Sequence, residues 1–523
     1  MKLSTLCLLC TGAAGVVFGD VPDCLVEYIE STNTASYVDT GIAPNPRKTR
    51  MVVKLAPMVV NNSQVAFFGS GKSWGDNVCN FVLLNSSQFR LDWIAAQTKV
   101  FTPNVGQVYL FDCCNNVVSI DGQKWSNGNA TTKTDADYPE RPILLFNAWS
   151  GTSKVGGTKM RLYDCRVYQD GVALNANYIP CVKDGVVGLY NTVDGTIVYD
   201  SGNKGFAASE VERTADYRIS GGEVQTTLKL TKPSVGGTCA EPEERWATMN
   251  GKVTLTATPD AGMKAAWTVS DIDGKLTSYY GDTVEITMPP CPSTVSLSFY
   301  AADALTTVTQ LREALGAAQG GETIRLAPGE YERDSAIVID KAITLEGAGR
   351  QLTILKPVAA GGEFRAINMT EAATVRNLKI TGFKANVEGL GVYMTKGTLD
   401  NVWIYGNTMY CTDGSLKWGA GVYVKGKDCV VTNCTVEKCF ADRNYGGIMG
   451  IGIQLQGGTV IDSEILDNER ERSEFKGGGV CISAKDSYLI RCLIKGNGSR
   501  GKGVNTSNTL GMGVWVFTWS PRA

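Results

Sequence analysis

The chain has 523 residues with 50 basic and 52 acidic side chains, a formal net charge of −2, and it contains no histidine. The absence of histidine excludes Ser-His-Asp and Cys-His nucleophile systems, histidine metal ligands and a histidine general base. Because the charge is balanced and no basic tract is present, we expect no nucleic-acid partner.

The N-terminus has the pattern of an export signal. Lys2 precedes an apolar run over residues 3–18, and Gly19 lies where a signal peptidase reads small residues, so residues 1–19 are predicted to be a signal peptide. The run is short for a membrane span, and no other long apolar stretch follows, so no transmembrane segment is expected. The protein is therefore expected to be secreted or held at the cell surface. Its remaining cysteines suit an oxidising compartment, but their pairing cannot be derived from sequence.

Residues 20–210 have the sequence pattern of a β-sandwich. Short strand-like runs between residues 51 and 199 are separated by Gly, Asn, Asp and Pro turns, with no long helix. The segments VEYIESTNTASYVDTGI (26–42) and VVSIDGQKW (117–125) resemble a LamG-type, concanavalin A-like jelly roll. That resemblance implies a module for glycan binding or spacing. Its tryptophans are either sugar-stacking residues or ordinary packing residues, and the candidates for stacking are Trp74, Trp93, Trp125 and Trp149.

A smaller module is predicted over residues 217–303. Val253, Leu255 and Ala257 alternate with threonines, which predicts a strand with one buried face. The segment resembles the β-repeat modules of bacterial surface proteins, which implies a spacer. Its two cysteines, Cys239 and Cys291, are expected to form a disulfide.

The C-terminal part is built from a repeat. A glycine followed by an apolar, any, apolar triplet recurs in steps of 27 to 34 residues, at Gly391, Gly421, Gly452, Gly479 and Gly513. Repetition at this period, with two short β-runs per unit, predicts a parallel β-helix over residues 304–523.

Strand alternation predicts which triplet residues face the interior. The first and third residues, such as Val422 and Ile453, are expected to point inward. The middle residues are expected to face outward, so Tyr423→Ser is predicted to have almost no effect on stability. These middle residues are Tyr393, Tyr423, Gln454, Cys481 and Trp515.

Two further columns accompany the second strand of each coil. One contains Asn377, Asn401 and Asn433 and is interpreted as an amide ladder at a bend. The other is an inward column that includes Cys434 and Cys492. These two cysteines lie two coils apart, roughly 10 Å at 4.8 Å per coil, which is too far for a disulfide.

The entry to the repeat indicates its family. A helical apolar spacing over residues 306–318 leads into GGETIRLAPGEYE (320–332) and two isoleucine-rich strands. This order resembles the N-terminal cap and first coils of the pectate-lyase-like superfamily of right-handed parallel β-helices. That superfamily includes lyases, hydrolases, esterases, epimerases, tailspikes and adhesins, so the resemblance implies the fold and leaves the chemistry open.

Without histidine, two kinds of glycan cleavage remain: calcium-assisted β-elimination and two-carboxylate hydrolysis. The first needs carboxylates clustered on neighbouring coils. Acidic residues such as Asp400, Asp428, Asp462 and Asp486 fall in different columns instead. We therefore expect no cofactor, and structural calcium is not indicated.

Loops between the second strand of one coil and the glycine of the next should emerge along one edge. Aromatic and arginine side chains there suit an acidic or neutral glycan, although a plain solvated edge would look the same. The candidate glycan-binding residues are Tyr393, Tyr423, Tyr410, Trp418, Tyr445, Arg443, Arg470 and Arg472.

Together these patterns predict an all-β, multidomain protein that binds a polysaccharide or glycoconjugate, or serves adhesion, without catalysis of its own. The alternatives are a polysaccharide lyase or glycoside hydrolase acting through the loop edge, and a purely structural surface protein. The sequence ends just after a coil begins, which we interpret as an incomplete gene product. Ligand identity and oligomeric state remain open.

Overall fold

The protein is almost entirely β, as predicted. The computed structural model describes residues 21–45, 48–60, 65–73, 76–85, 88–93, 95–100, 103–114, 117–126, 141–150, 153–155, 157–171, 173–202, 204–358, 363–411, 415–442, 448–470, 478–499 and 513–516. Two compact units divide the chain. One falls within Met1–Gln123, Lys133–Thr226 and Thr248–Asn250, and the other within Lys124–Thr132, Thr227–Ala247 and Gly251–Ala523. The proposed division into three modules stays a prediction.

The first unit consists of antiparallel sheets. Its larger sheet has the strands Val117–Ile120, Tyr109–Cys114, Arg50–Pro57, Met160–Tyr168, Leu174–Lys183, Val186–Asn191 and Ile197–Tyr199, with Cys24–Leu25, Ile29–Ser31 and Phe206–Ala208 attached. The strand Gln123–Ser126 falls at the boundary of the two units. A second sheet has Val38–Asp39, Leu144–Leu145, Val65–Ser73, Asp76–Asn85, Gln88–Trp93 and Ala95–Val100. A hairpin joins Ala148–Ser150 to Ser153–Val155. The antiparallel pairing agrees with the β-sandwich predicted for this part of the chain.

The segment that follows contains short strands of mixed direction. They are Tyr217–Ser220, Glu223–Thr231, Gly237–Thr238, Glu244–Thr248, Lys252–Thr256, Thr258–Pro259, Met263–Ser270, Leu276–Tyr280, Thr283–Thr287 and Ser293–Ala301. Val253, Leu255 and Ala257 are buried while the threonines between them are exposed, which confirms the predicted one-sided strand. The expected disulfide is not formed: Cys239 and Cys291 are thiols, and the Cys239 Sγ donates to the Thr256 carbonyl at 3.4 Å.

A parallel β-helix fills the rest of the second unit, as predicted. The first solenoid sheet contains Thr323–Leu326, Thr344–Gly347, Thr374–Arg376, Gly397–Asp400, Cys429–Thr432, Gly458–Ile461 and Ser487–Ile490. The second contains Gly329–Arg333, Thr353–Pro357, Lys379–Thr381, Trp403–Tyr405, Thr435–Glu437, Glu464–Leu466 and Leu493–Lys495. The third contains Ile337–Ile339, Ile367–Met369, Val392–Met394, Val422–Val424, Ile453–Leu455, Val480–Ile482 and Val514–Val516. A fourth contains Lys384–Ala385, Thr408–Met409, Phe440–Ala441, Glu469–Arg470 and Gly498–Ser499, and a parallel pair joins Lys417–Trp418 to Ile448–Met449.

One helix, Val308–Ala317, precedes the first coil. Thr307 is its N-cap, and Thr307 and Gln310 form a capping box that satisfies the first backbone donors. Leu311 is buried in the same core as Ile324 and Leu326. The apolar spacing seen in the sequence therefore places a helix against the entry to the solenoid.

The inward columns are confirmed over most of the solenoid. Val392, Val422, Ile453 and Val480 are all fully buried, and the registers place them directly above one another. The column fails in the last described coil, where Val516 is 63% exposed. In the described part of the chain, no strand pairs with the far side of Val514–Val516.

The prediction that the middle triplet residues are solvent-facing was wrong for three of them. Tyr423 is 5% exposed, Gln454 is 1% exposed, and Cys481 is buried. They do lie on the outer face, but for Tyr423 and Gln454 the turn before the glycine crosses that face. A Cβ added at Gly419 would lie 3.0 Å from the Tyr423 N, and one at Gly450 would lie 2.9 Å from the Gln454 Cα. Tyr423→Ser therefore removes a buried side chain and is not expected to be silent.

The asparagine column marks a left-handed bend. Asn377, Asn401 and Asn433 all have φ between 53° and 59°, a region that Asn tolerates better than most residues. The Asn401 Nδ2 donates to the Asn377 Oδ1 at 2.9 Å, which confirms the amide ladder at that step. Asn433 donates instead to Asp400 at 2.9 Å. The column is thus selected by backbone conformation as well as by side-chain bonding.

A second asparagine column, which the sequence analysis missed, lies inside the solenoid. Asn468 is fully buried, and its Oδ1 accepts from the Cys439 N–H at 3.0 Å. Its Nδ2 donates to the carbonyl of Val436 and to the Oδ1 of Asn497, both at 2.9 Å. Asn407 accepts from the Phe383 N–H in the same way at 3.0 Å. These amides satisfy backbone groups at an interior corner, where water is excluded.

Candidate functional site

Two tyrosines stack on the outer face of the third solenoid sheet. Tyr393 and Tyr423 occupy equivalent positions in adjacent coils because both follow a Gly-Val dipeptide, and their backbones are in register. Their ring centroids lie 5.3 Å apart at an interplanar angle of 89°. Edge-to-face packing of this kind stabilises both rings. We call this surface, with Arg365, Glu388 and Lys425, the tyrosine face.

Two cations lie over these rings. The guanidinium carbon of Arg365 is 4.6 Å from the centroid of Tyr393, and the Lys425 Nζ is 5.9 Å from that of Tyr423. A further bond, from the Tyr423 hydroxyl to the Gln456 Oε1 at 2.7 Å, fixes the second ring. A cation over an aromatic face is attracted by the ring, so the two tyrosines help to hold Arg365 and Lys425 in place.

Glu388 supplies the acidic group of the tyrosine face. It lies on the turn before Val392–Met394 and is half-buried. Burial raises the pKa of its carboxyl, while the positive charges of Lys417, Lys425 and Arg365 oppose that rise. Among the described residues, none is close enough to Glu388 to form a hydrogen bond or an ion pair with it. The carboxyl therefore remains available to a ligand.

Burial also affects the basic and phenolic groups of this surface. It lowers the pKa of Arg365, although the nearby Tyr393 and Glu388 oppose the change. The pKa of Tyr423 is raised by burial and by the Glu388 charge, so its hydroxyl stays protonated at neutral pH. The tyrosine face thus offers aromatic edges, two cations and one protonatable carboxyl. Such a set can bind a polar ring with an acidic substituent.

Trp418 borders the tyrosine face. It belongs to Lys417–Trp418, and its carbonyl accepts from the N–H of Gly389, the residue after Glu388, at 2.9 Å. The hydroxyl of Tyr410 donates to the Glu363 carboxylate, which raises the pKa of Tyr410 to about 12. The prediction that Arg470 is a glycan-binding residue of the loop edge was wrong. Arg470 lies in the strand Glu469–Arg470, and its side chain is buried, with 7% of its surface exposed.

Several predicted residues lie outside the described part of the chain. They are Trp74, Arg443, Tyr445 and Arg472. Trp93 and Trp125 lie on described strands, but their side chains are outside the described part. Trp149 is half-buried in the first unit, and the Arg141 guanidinium carbon lies 4.6 Å from its ring.

Sequence reasoning missed Arg365 and Glu388. A signal for Glu388 was present in the Gly-x-Gly pattern at Gly389/Gly391, Gly419/Gly421 and Gly450/Gly452, because this pattern marks the turn that crosses the outer face. Arg365 precedes Ile367–Met369 in an irregular segment and belongs to no column. Its position could only be found from the fold.

Within the described residues, no group of three or more Cys, Asp or Glu side chains is arranged to hold a metal ion. No helix in the same set is long and apolar enough to cross a membrane.

Comparison with known proteins does not identify a family for the chain. No family model matches the chain, and no curated protein is significantly similar to it. Among solved structures, the catalytic domain of a GH87 alpha-1,3-glucanase in complex with nigerose is similar at 13% identity and a TM-score of 0.20. That match covers 89% of this chain and 62% of the glucanase domain, so the chain spans about six-tenths of that structure. A likeness at this score carries no argument about the site.

Proposed function

We propose that the protein binds a glycan on the tyrosine face and acts outside the cytoplasm. The observation that carries this proposal is the Arg365 guanidinium stacked 4.6 Å over Tyr393 beside the half-buried Glu388. Sugar rings bind proteins through aromatic contacts and through hydrogen bonds to charged side chains, and both are present within one surface. The export signal predicted in residues 1–19 lies outside the described residues and forms part of the proposal.

The test is a glycan array with the mature chain, residues 20–523, followed by calorimetry on the glycans that bind. We expect Tyr393→Ala to weaken binding about tenfold, equivalent to roughly 1.4 kcal/mol, because one ring and the support for Arg365 are lost. Tyr488→Ala is the matched control, since Tyr488 is 55% exposed on the outer face of the first solenoid sheet. Equal affinities for the two variants would place the ligand elsewhere.

Glycan cleavage is the second candidate, and the raised pKa of the Glu388 carboxyl is what favours it. A carboxyl whose pKa is raised by burial is better suited to act as a general acid. Hydrolysis also needs a second carboxyl roughly 5–10 Å away. The charged groups that influence Glu388 in the described chain are all basic. Binding without cleavage is therefore the function we propose.

This point is tested by incubating each glycan that binds with the mature chain. We expect no new reducing ends and no ultraviolet absorbance from an unsaturated uronate, with or without calcium. Cleavage that Glu388→Gln abolishes would replace binding by catalysis as the function of the tyrosine face.

A further inference from the structure

A second cluster of cations and aromatic rings lies in the first unit, on the hairpin of Ala148–Ser150 and Ser153–Val155. Trp149 and Lys154 are directly opposite each other in this hairpin. The Lys154 Nζ lies 3.5 Å from the ring centroid of Tyr37 and 5.3 Å from that of Trp149. The Arg141 guanidinium carbon lies 4.6 Å from the Trp149 centroid. Two cations are thus held against two rings.

The cluster is fixed from several sides. The Arg141 carbonyl accepts from the Ser70 hydroxyl at 2.7 Å, which ties Arg141 to the strand Val65–Ser73. Tyr37 is anchored by its N–H, which donates to the Asp200 Oδ1 at 2.9 Å. Tyr37, Arg141 and Trp149 are half-buried, while Lys154 is exposed. These bonds fix the backbones of Arg141 and Tyr37, and the rings hold the two cations.

Neither cation has an acidic partner in the described chain. Neither Arg141 nor Lys154 forms an ion pair with any described carboxylate. Arg141 and Lys154 both lie against the indole ring of Trp149. The distance between the two cations is therefore at most the sum of their distances to that ring. Both positive charges therefore act on an anion bound between or beside them, and such an anion would offset them.

The arrangement also changes the interpretation of Trp149. The sequence suggested that its ring stacks on a sugar, but cations already lie against it and against Tyr37. What remains open to a ligand is the set of N–H donors on Arg141 and Lys154. A planar guanidinium and an ammonium together suit carboxylate or sulfate oxygens.

We propose that Arg141 and Lys154 form an anion site that binds the carboxylate or sulfate groups of an acidic polysaccharide, with Trp149 and Tyr37 as positioning residues. This site is separate from the tyrosine face and does not depend on it. Carboxylate and sulfate share the chemistry that the site recognises, so the test must distinguish them.

The test uses the mature full-length chain with three probes: polygalacturonate, heparin and neutral dextran. We expect at least one polyanion to bind, with an affinity that falls as salt is raised, and dextran not to bind at this site. The Arg141→Gln/Lys154→Gln double variant should lose at least tenfold in affinity for that polyanion. Binding to polygalacturonate alone would identify carboxylate, and binding to heparin alone would identify sulfate.

Control variants separate this anion site from the tyrosine face and from general charge attraction. Lys159→Gln removes another exposed lysine of the same unit and should bind as the wild type does. Lys154→Arg should retain binding, since it keeps the charge, and Lys154→Gln alone gives a variant at an exposed position if the double variant is less stable. Arg365→Met removes a cation of the tyrosine face, so adding it to the double variant shows how much of any residual polyanion binding belongs to that face. The proposal is overturned if neither polyanion binds, or if Lys154→Gln and Lys159→Gln bind equally.

Discussion

Ile453→Asp is expected to unfold much of the solenoid at temperatures where the wild type is stable. Ile453 is fully buried, and its neighbours in register, Val422 and Val480, are also fully buried. No described side chain in this aliphatic column can pair with a carboxylate. A buried unpaired carboxylate costs several kcal/mol, about 3–5 kcal/mol when no partner is available. A loss of that size is a large fraction of the roughly 5–15 kcal/mol by which a typical domain is stable.

The matched control is Leu493→Asp. It makes the same kind of change, aliphatic to carboxylate, but Leu493 is 50% exposed on the outer face of the second solenoid sheet. Chemical denaturation followed by circular dichroism should give a large loss for Ile453→Asp and a loss of less than about 1 kcal/mol for Leu493→Asp. Equal losses would mean that the strand register is wrong.

The solenoid could be predicted because its sequence pattern repeats with a regular period. Val392, Val422, Ile453 and Val480 repeat one local pattern, and a one-residue slip would expose the whole column. The period therefore fixes both the fold and the inward face. The burial of Tyr423 was not predictable in the same way, because it depends on where the turn at Gly419 runs after leaving the strand.

The tyrosine face was predictable only in part. Tyr393 and Tyr423 belong to a column, so their proximity followed from the repeat. Arg365 and Glu388 come from irregular segments, whose paths are set by tertiary contacts. The cations around Trp149 were missed for a related reason: a tryptophan in a sequence gives no sign of what will cover its faces.

The interior asparagines show a different limit. Asn407, Asn468 and Asn497 recur at the coil period, but they fall where the strands end, so they resemble ordinary turn residues. Only the structure shows that Asn468 is buried and bonded to backbone groups of the neighbouring coil. A polar column can thus be as much a part of a solenoid core as an aliphatic one.

The unpaired carboxyl of the tyrosine face gives a prediction that needs no identified ligand. Because burial raises the pKa of Glu388 above its value in the unfolded chain, the unfolded state releases this proton more readily than the folded state. Ionisation of Glu388 therefore lowers the stability of the folded state as pH rises from the pKa of the unfolded chain to that of the folded chain. Glu388→Gln should be more stable than the wild type at pH 7, and the difference should disappear below about pH 4, where both states are protonated.

The matched control for this prediction is Glu313→Gln, the same substitution at an exposed position on the helix Val308–Ala317. Binding gives a second readout, in which removal of the Glu388 charge is again expected to be favourable. An anionic glycan on the tyrosine face would be repelled by ionised Glu388 and attracted by Arg365 and Lys425, so the wild type should bind more tightly as pH falls. Glu388→Gln should bind about tenfold more tightly at pH 7, a difference of roughly 1.4 kcal/mol, with little pH dependence. If its stability and binding both follow the wild type from pH 4 to pH 7, Glu388 is a solvated carboxylate with no role in this surface.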